Sequence, residues 1–171
     1  MIHGDIKPQN VLVFMDTTGK TTVKVTDFGY STLATGERSV FLPKSRPWNA
    51  PEHHFGEFKP LEAKKADVYS IGMLCLWVLF GNHLSDIPQT TTGGTELLSF
   101  DAPFGHLTLL ERLKDQDKVE DIAHQLTEPT PGIKDEYSIR LKELFSLTLQ
   151  LNPEKRTSDL GKLVGLLDQE R

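Results

Sequence analysis

Within HGDIKPQN, residues 3–10, an aspartate, a lysine and an asparagine fall close together, with a proline between the last two. Asp5 can take the proton of a hydroxyl as that hydroxyl attacks. Lys7, two residues on, faces the same side in an extended segment and can put positive charge on a transferring phosphoryl group. Asn10 offers an amide oxygen, a hard ligand suited to Mg²⁺. Asp27 offers a carboxylate oxygen to the same kind of ion. Gly29 permits backbone angles that other residues resist, so the chain can turn sharply after Asp27. Taken alone, Asp5 is an ordinary turn residue. The combination is what suggests phosphoryl chemistry.

Those residues need elements to hold them. VLVF (Val11 to Phe14) and TVKV (Thr22 to Val25) are β-prone runs, and MDTTGK between them suits a turn, so the pattern predicts a small hairpin that delivers Asp27. From Asp27 to about Asn49 the chain is polar, rich in Ser, Thr, Gly and Pro, and without a clear period, which predicts a long functional loop. A helix is expected from about Lys64. It carries the apolar run IGMLCLWVLF, Ile71 to Phe80, which predicts burial on all sides, and Gly81-Asn82 ends it. Residues 85–105, containing QTTTGG, read as another loop. Further helices are expected at about 106–118, 119–126, 136–151 and 157–169. In the third of these, Leu141, Leu144, Phe145 and Thr148 recur at helical steps and form one apolar face; Asn152-Pro153 breaks it.

Bulk properties narrow the class. The chain has 171 residues, 37% apolar and 25% charged, which suits one globular domain with a core. The net charge is −5, without a Lys/Arg-rich block, which argues against a nucleic-acid partner. Cys75 is the only cysteine, so no disulfide forms within the chain, and its apolar surroundings point to a buried structural thiol. A reducing setting, cytoplasmic or nuclear, is expected. MIHGDIKP lacks the basic and apolar regions of a signal peptide, and the longest apolar run is too short for a membrane span, which takes about 20 residues. Nothing in the sequence sets an oligomeric state.

Five motifs stand in order: His3-Gly4-Asp5-Ile6-Lys7-Pro8-Gln9-Asn10, Asp27-Phe28-Gly29, Ala50-Pro51-Glu52, Asp67-Val68-Tyr69-Ser70-Ile71-Gly72 and Asn152-Pro153-Glu154-Lys155-Arg156. The ordered set resembles the eukaryotic protein kinase family, serine/threonine type. They match its catalytic loop (3–10), its metal motif (27–29), the end of its activation segment (27–52), the start of its central helix and its late arginine motif. The resemblance implies an α+β, mainly α-helical fold: a kinase-like C-lobe, helical over 64–171, with a small β-hairpin near the N-terminus and no N-lobe. It implies ATP and Mg²⁺ as cofactors and a protein as substrate.

The resemblance also implies roles. Asp5 would orient or deprotonate the substrate hydroxyl. Lys7 would steady the γ-phosphate and indicates the serine/threonine branch. Asn10 and Asp27 would hold Mg²⁺. Leu12 would lie under the adenine ring, although a leucine there is also ordinary core. Ser45 would sit near the substrate. Trp48 stands where an aromatic residue is usual, and simple packing accounts for it equally. Glu52 and Arg156 would form a buried ion pair, and Asp67 would brace the catalytic loop through its backbone.

Two departures are visible. Gly4 stands where the motif commonly has an arginine that meets a phosphate on the activation loop, so activity is expected not to depend strongly on phosphorylation of Ser31, Thr32, Thr35 or Ser39. The Gly-rich phosphate loop, the strand lysine and its partner glutamate are not found before residue 3, so the chain alone is expected to be inactive and to expose apolar surface. The reading is therefore a serine/threonine kinase represented by its C-lobe. The alternatives are a truncated, non-catalytic kinase-like binding module and a chance resemblance on an unrelated α-rich fold.

Overall fold

The structure is a computed structural model that describes residues 1–33, 38–86, 105–128 and 135–168. It opens with the HGDIKPQN segment, which ends in a short 3₁₀ turn at Pro8–Asn10. The expected hairpin follows as β1 (Val11–Met15) and β2 (Thr21–Val25), antiparallel with Val11 opposite Val25 and Val13 opposite Val23. Its turn is set by Asp16, whose Oδ1 accepts from Thr18 N at 2.8 Å, Thr18 Oγ1 at 2.6 Å and Lys20 N at 3.0 Å. An Asx-type turn of this kind lets one carboxylate organise the loop backbone. Inside the segment expected to be pure loop, β3 (Val40–Phe41) pairs with β4 (Glu57–Phe58), a strand too short to carry a period.

The remainder is helical: α1 (Pro60–Phe80), α2 (Gly105–Asp115), α3 (Val119–Leu126), α4 (Asp135–Thr148) and α5 (Leu160–Leu167). Helix α1 starts one turn before the expected Lys64. Pro60 occupies the first helical position, where its missing N–H costs nothing, and the Glu62 carboxylate accepts from Lys59 N at 2.8 Å. Helix α5 begins later than expected because Thr157 and Asp159 form its cap; Asp159 Oδ1 accepts from Gly161 N at 2.9 Å. The expected loop at 85–105 lies almost wholly outside the described residues, as does residue 169.

The core lies between α1 and α4, with α2, α3 and α5 closing it. The predicted face of α4 is buried as a block: Leu141, Leu144, Phe145 and Thr148. Gly72 on α1 lets the two helices approach closely, since a Cβ there would meet Thr148 Oγ1 at 2.4 Å and Leu149 Cδ2 at 2.8 Å.

One expectation holds for only part of α1. The apolar end of α1 is not enclosed on all sides: Val78 and Leu79 are exposed, and Ile71, Leu74, Cys75 and Trp77 are half-buried. The polar-looking first half is the enclosed part, with Lys65, Ala66, Asp67, Val68, Tyr69 and Ser70 all buried in succession. The His3–Gly4 backbone and the Arg156 carbonyl bond to the polar groups of that half. Cys75 is half-buried, and burial pushes its thiol up to about 11, which suits a structural thiol rather than a nucleophile. No helix among the described residues is long and apolar enough to cross a membrane.

Candidate functional site

Asp67 anchors the start of the HGDIKPQN segment. Its Oδ2 accepts from His3 N at 2.6 Å and its Oδ1 from Gly4 N at 2.9 Å. Burial raises its pKa, and these two N–H donors oppose the rise. The carboxylate thus fixes two consecutive backbone groups at the point where the chain turns with Gly4 at φ +86°. A Cβ on Gly4 would lie 3.0 Å from the Leu42 side chain and 3.2 Å from Tyr30 O. Glycine is therefore demanded here by conformation and by space.

The hairpin register brings the second motif alongside. Thr26 N donates to Asn10 O at 2.9 Å, so Asp27 follows directly from a residue tied to Asn10. The segment continues beside the loop through Ile2 and Thr32, which exchange backbone bonds of 2.8 and 3.1 Å. The positive φ of this turn falls on Asp27 itself, at +60°, and not on Gly29 as expected. Gly29 instead receives the Asp27 carboxylate, its N–H lying 3.4 Å from Oδ1.

Asp5 sits at the centre and is only 5% exposed. Ser45 Oγ donates to its Oδ1 at 2.6 Å. Lys7 Nζ lies 2.7 Å from its Oδ2 and donates to Ser45 Oγ at 3.1 Å. Asn10 Nδ2 donates to Asp5 O at 2.8 Å. Burial alone would raise the Asp5 pKa, but the bonds from Lys7 and Ser45, with the lysine charge, outweigh it and hold the carboxyl below its usual range. The group is therefore ionised at neutral pH, with a hydroxyl and an ammonium already bound.

The site residues expected from sequence divide as follows. Asp5, Lys7 and Asn10 are joined by hydrogen bonds. Asp27 is exposed and stands next to them through Thr26. Leu12 is exposed on β1, which removes the ordinary-core explanation for it. Trp48 is 3% exposed and meets Trp77 edge-on at 5.8 Å, so its packing accounts for it. Asn10 and Asp27 offer one amide oxygen and one carboxylate, ligand types that Mg²⁺ takes while keeping waters and phosphate oxygens for its other positions.

Arg156 secures the segment behind Ser45. Its buried guanidinium makes a bidentate pair with Glu52, with Nη2 to Oε2 at 2.8 Å. Its other N–H groups reach Gln150 O, Leu151 O and Lys65 O, and Tyr69 presents a ring face 4.9 Å away. Every donor is used, which is what a buried guanidinium requires.

Some contributors were not read from sequence. The His3 ring meets Phe28 at a tilt, centroids 5.0 Å apart, and bonds Thr26 O at 3.0 Å, tying the loop to the second motif. Only its place beside Gly4-Asp5 hinted at this. Lys114, on α2, reaches back to Pro47 O and Asn49 O beneath the Ser45 segment. Its position in an amphipathic helix gave no such signal.

Comparison with known proteins agrees with this geometry. The family described as Protein kinase domain matches residues 1–164. MDIS1-interacting receptor like kinase 2 of Arabidopsis thaliana is 31% identical over 167 residues, covering 94% of this chain and 13% of that protein. The probable serine/threonine-protein kinase ireA of Dictyostelium discoideum is 27% identical over 168 residues, covering 96% of this chain and 13% of that protein. Sperm motility kinase 2B of Mus musculus is 24% identical over 157 residues, covering 91% of this chain and 25% of that protein. The chain therefore spans 13% of the length of each of the first two relatives.

Proposed function

The chain belongs to the protein kinase domain family, and on that premise we propose that it carries the catalytic-loop half, the C-lobe, of a serine/threonine protein kinase that moves the γ-phosphoryl group of Mg-ATP to a protein hydroxyl. The observation that carries this reading is the arrangement at Asp5: a buried, ionised carboxylate with a hydroxyl at 2.6 Å and an ammonium at 2.7 Å.

Each residue's part follows from its contacts. Asp5 is held below the usual carboxylate range, so it is a weak base at neutral pH but a strong hydrogen-bond acceptor. It orients the acceptor hydroxyl and takes its proton late, as the oxygen bonds to phosphorus and becomes acidic. Ser45 shows that the Asp5 carboxylate accepts from a hydroxyl at bonding distance. Lys7 bridges Asp5 and Ser45 and stands ready to place charge on the transferring group. Asn10 and Asp27 would hold Mg²⁺, which neutralises phosphate charge when bound. Leu12, exposed on β1 beside this pair, offers an apolar surface to an adenine ring.

The test is nucleotide binding by the protein as its gene encodes it. Titration calorimetry should give ATP binding that requires Mg²⁺ and weakens at least about tenfold in Asp27→Asn, the range for loss of a charged metal ligand. Binding of equal strength without the ion, and in the variant, would count against the reading and favour a non-catalytic binding module.

A further inference from the structure

Ser45 reaches Asp5, but its neighbours Lys44 and Arg46 line a different space. That space is a cavity of about 300 Å³ between the Lys44–His53 segment and the C-terminal end of α2, where Lys114, Asp115 and Asp117 form the opposite wall. Asn49, Pro51 and His53 complete it. Three cations thus face two carboxylates. Asp115 is already paired with Arg46, and both side chains are about half or more exposed, so that pair is weakly held and Arg46 can turn to another anion.

The floor of the cleft is unbalanced. Lys114 is buried, and among the described residues its ammonium bonds the carbonyls of Pro47, at 3.1 Å, and Asn49, with the Asp115, Glu52 and Glu111 carboxylates acting on it from further off. Among the described residues no carboxylate lies within ion-pair distance of it. Burial, with the Arg46 charge, pulls its pKa down to about 8. Asn49 Oδ1 is buried without a hydrogen-bond partner among the described residues. A buried cation whose direct bonds go to carbonyls is costly, and an anion brought within reach relieves it.

We propose that this cleft selects the substrate, Lys44, Arg46 and Lys114 holding an anionic side chain that lies close in sequence to the phosphoacceptor hydroxyl. The proposal rests on the phosphoryl-transfer reading above, because that reading seats the acceptor at Asp5. Lys44 and Arg46 each adjoin Ser45, and one extended residue spans about 3.5 Å, so the anion falls within about three residues of the acceptor. An Asp or Glu carboxylate and an already phosphorylated residue share the required chemistry.

The experiment uses the protein as its gene encodes it and peptides with a single serine acceptor. Glu, phosphoserine or Gln is placed in turn at each flanking position, and kcat/KM is measured for wild type, for the double variant Lys44→Ala/Arg46→Ala and for Lys114→Met. An anion at one flanking position should raise kcat/KM about tenfold or more over Gln, and the double variant should bring that ratio near one. A gain with Glu assigns the carboxylate source; a gain with phosphoserine alone assigns the phosphorylated one. Lys44 and Arg46 are exposed, so the double variant carries the test even where Lys114→Met fails to fold. Transfer without preference for an anion overturns the proposal and leaves the kinase reading standing. Absence of all transfer counts against the kinase reading, and peptide binding by fluorescence anisotropy then decides the cleft. Tighter binding of the anionic peptides, lost in the double variant, upholds anion recognition; equal binding of Glu and Gln peptides overturns it.

Discussion

Asp5 concentrates what single residues do here. Its folded pKa lies below the ordinary 3.8, so its interactions stabilise the fold above about pH 4, and that contribution is lost as pH falls through the folded value. Wild type should therefore exceed Asp5→Asn in melting temperature at pH 7, and the gap should close below about pH 4; a gap independent of pH would show that the carboxylate's charge is not the stabilising feature. Gly4 argues for a second outcome. With φ at +86° and Leu42 packed against it, the loop presents no guanidinium to an activation-segment phosphate. Replacing Ser31, Thr32, Thr35 and Ser39 together by Ala should leave turnover within about threefold, since no charge-assisted bond is lost. Thr35 lies outside the described residues, and a large loss with the fold intact would sink this prediction. Asp5, Lys7 and Asn10 were legible because one short segment holds all three. The bond from Ser45 to Asp5 was not, because it joins positions 40 residues apart. Lys114 was hidden for a related reason: a lysine on an amphipathic helix ordinarily faces water, and only the path of residues 44–53 turns it inward.

At the scale of elements, the crossing of α1 and α4 depends on Gly72. Gly72→Ala forces a methyl group onto Thr148 and Leu149, which cannot withdraw from a packed core, and should lower stability by about 1–3 kcal/mol. Chemical denaturation measures this directly, and an unchanged midpoint would mean that the crossing is looser than described. Helix α4 was legible because Leu141, Leu144, Phe145 and Thr148 repeat at helical steps over a run long enough to count. The start of α1 was missed because Pro60 to Lys64 reads as polar, whereas Pro60 and Glu62 are a helix start. The exposed end of α1 was missed because its run is apolar throughout, whereas the enclosed part carries Lys65, Asp67 and Ser70. Their partners, Arg156 O, the His3 and Gly4 N–H groups and Ala66 O, come mostly from distant segments. Strands β3 and β4 were invisible at two residues each.

Over the whole molecule, charge and apolar surface are unevenly spread. The helical layers enclose a continuous core, while the hairpin stands out with Val13, Phe14, Met15 and Val23 exposed, next to exposed Phe28 and Tyr30. The Thr26 bond to Asn10 O ties the base of this hairpin to the HGDIKPQN segment, and apolar surface of this kind marks an interaction face. Lys44, Arg46 and Lys114 line one cavity, and Lys44 and Arg46 flank Ser45 in sequence. The order of five motifs made this architecture legible, and the helical content and the hairpin agree with it. The central claim is that Asp5 governs transfer to a hydroxyl, and the most direct measurement is phosphate transfer. The protein as its gene encodes it is incubated with γ-labelled ATP and a serine peptide, with and without Mg²⁺, as wild type and as Asp5→Asn. The account predicts Mg²⁺-dependent labelling of serine that falls about 10²–10⁴-fold in the variant while the fold is kept. Labelling that is equal in the two proteins, or that is absent from a folded wild type, would contradict it.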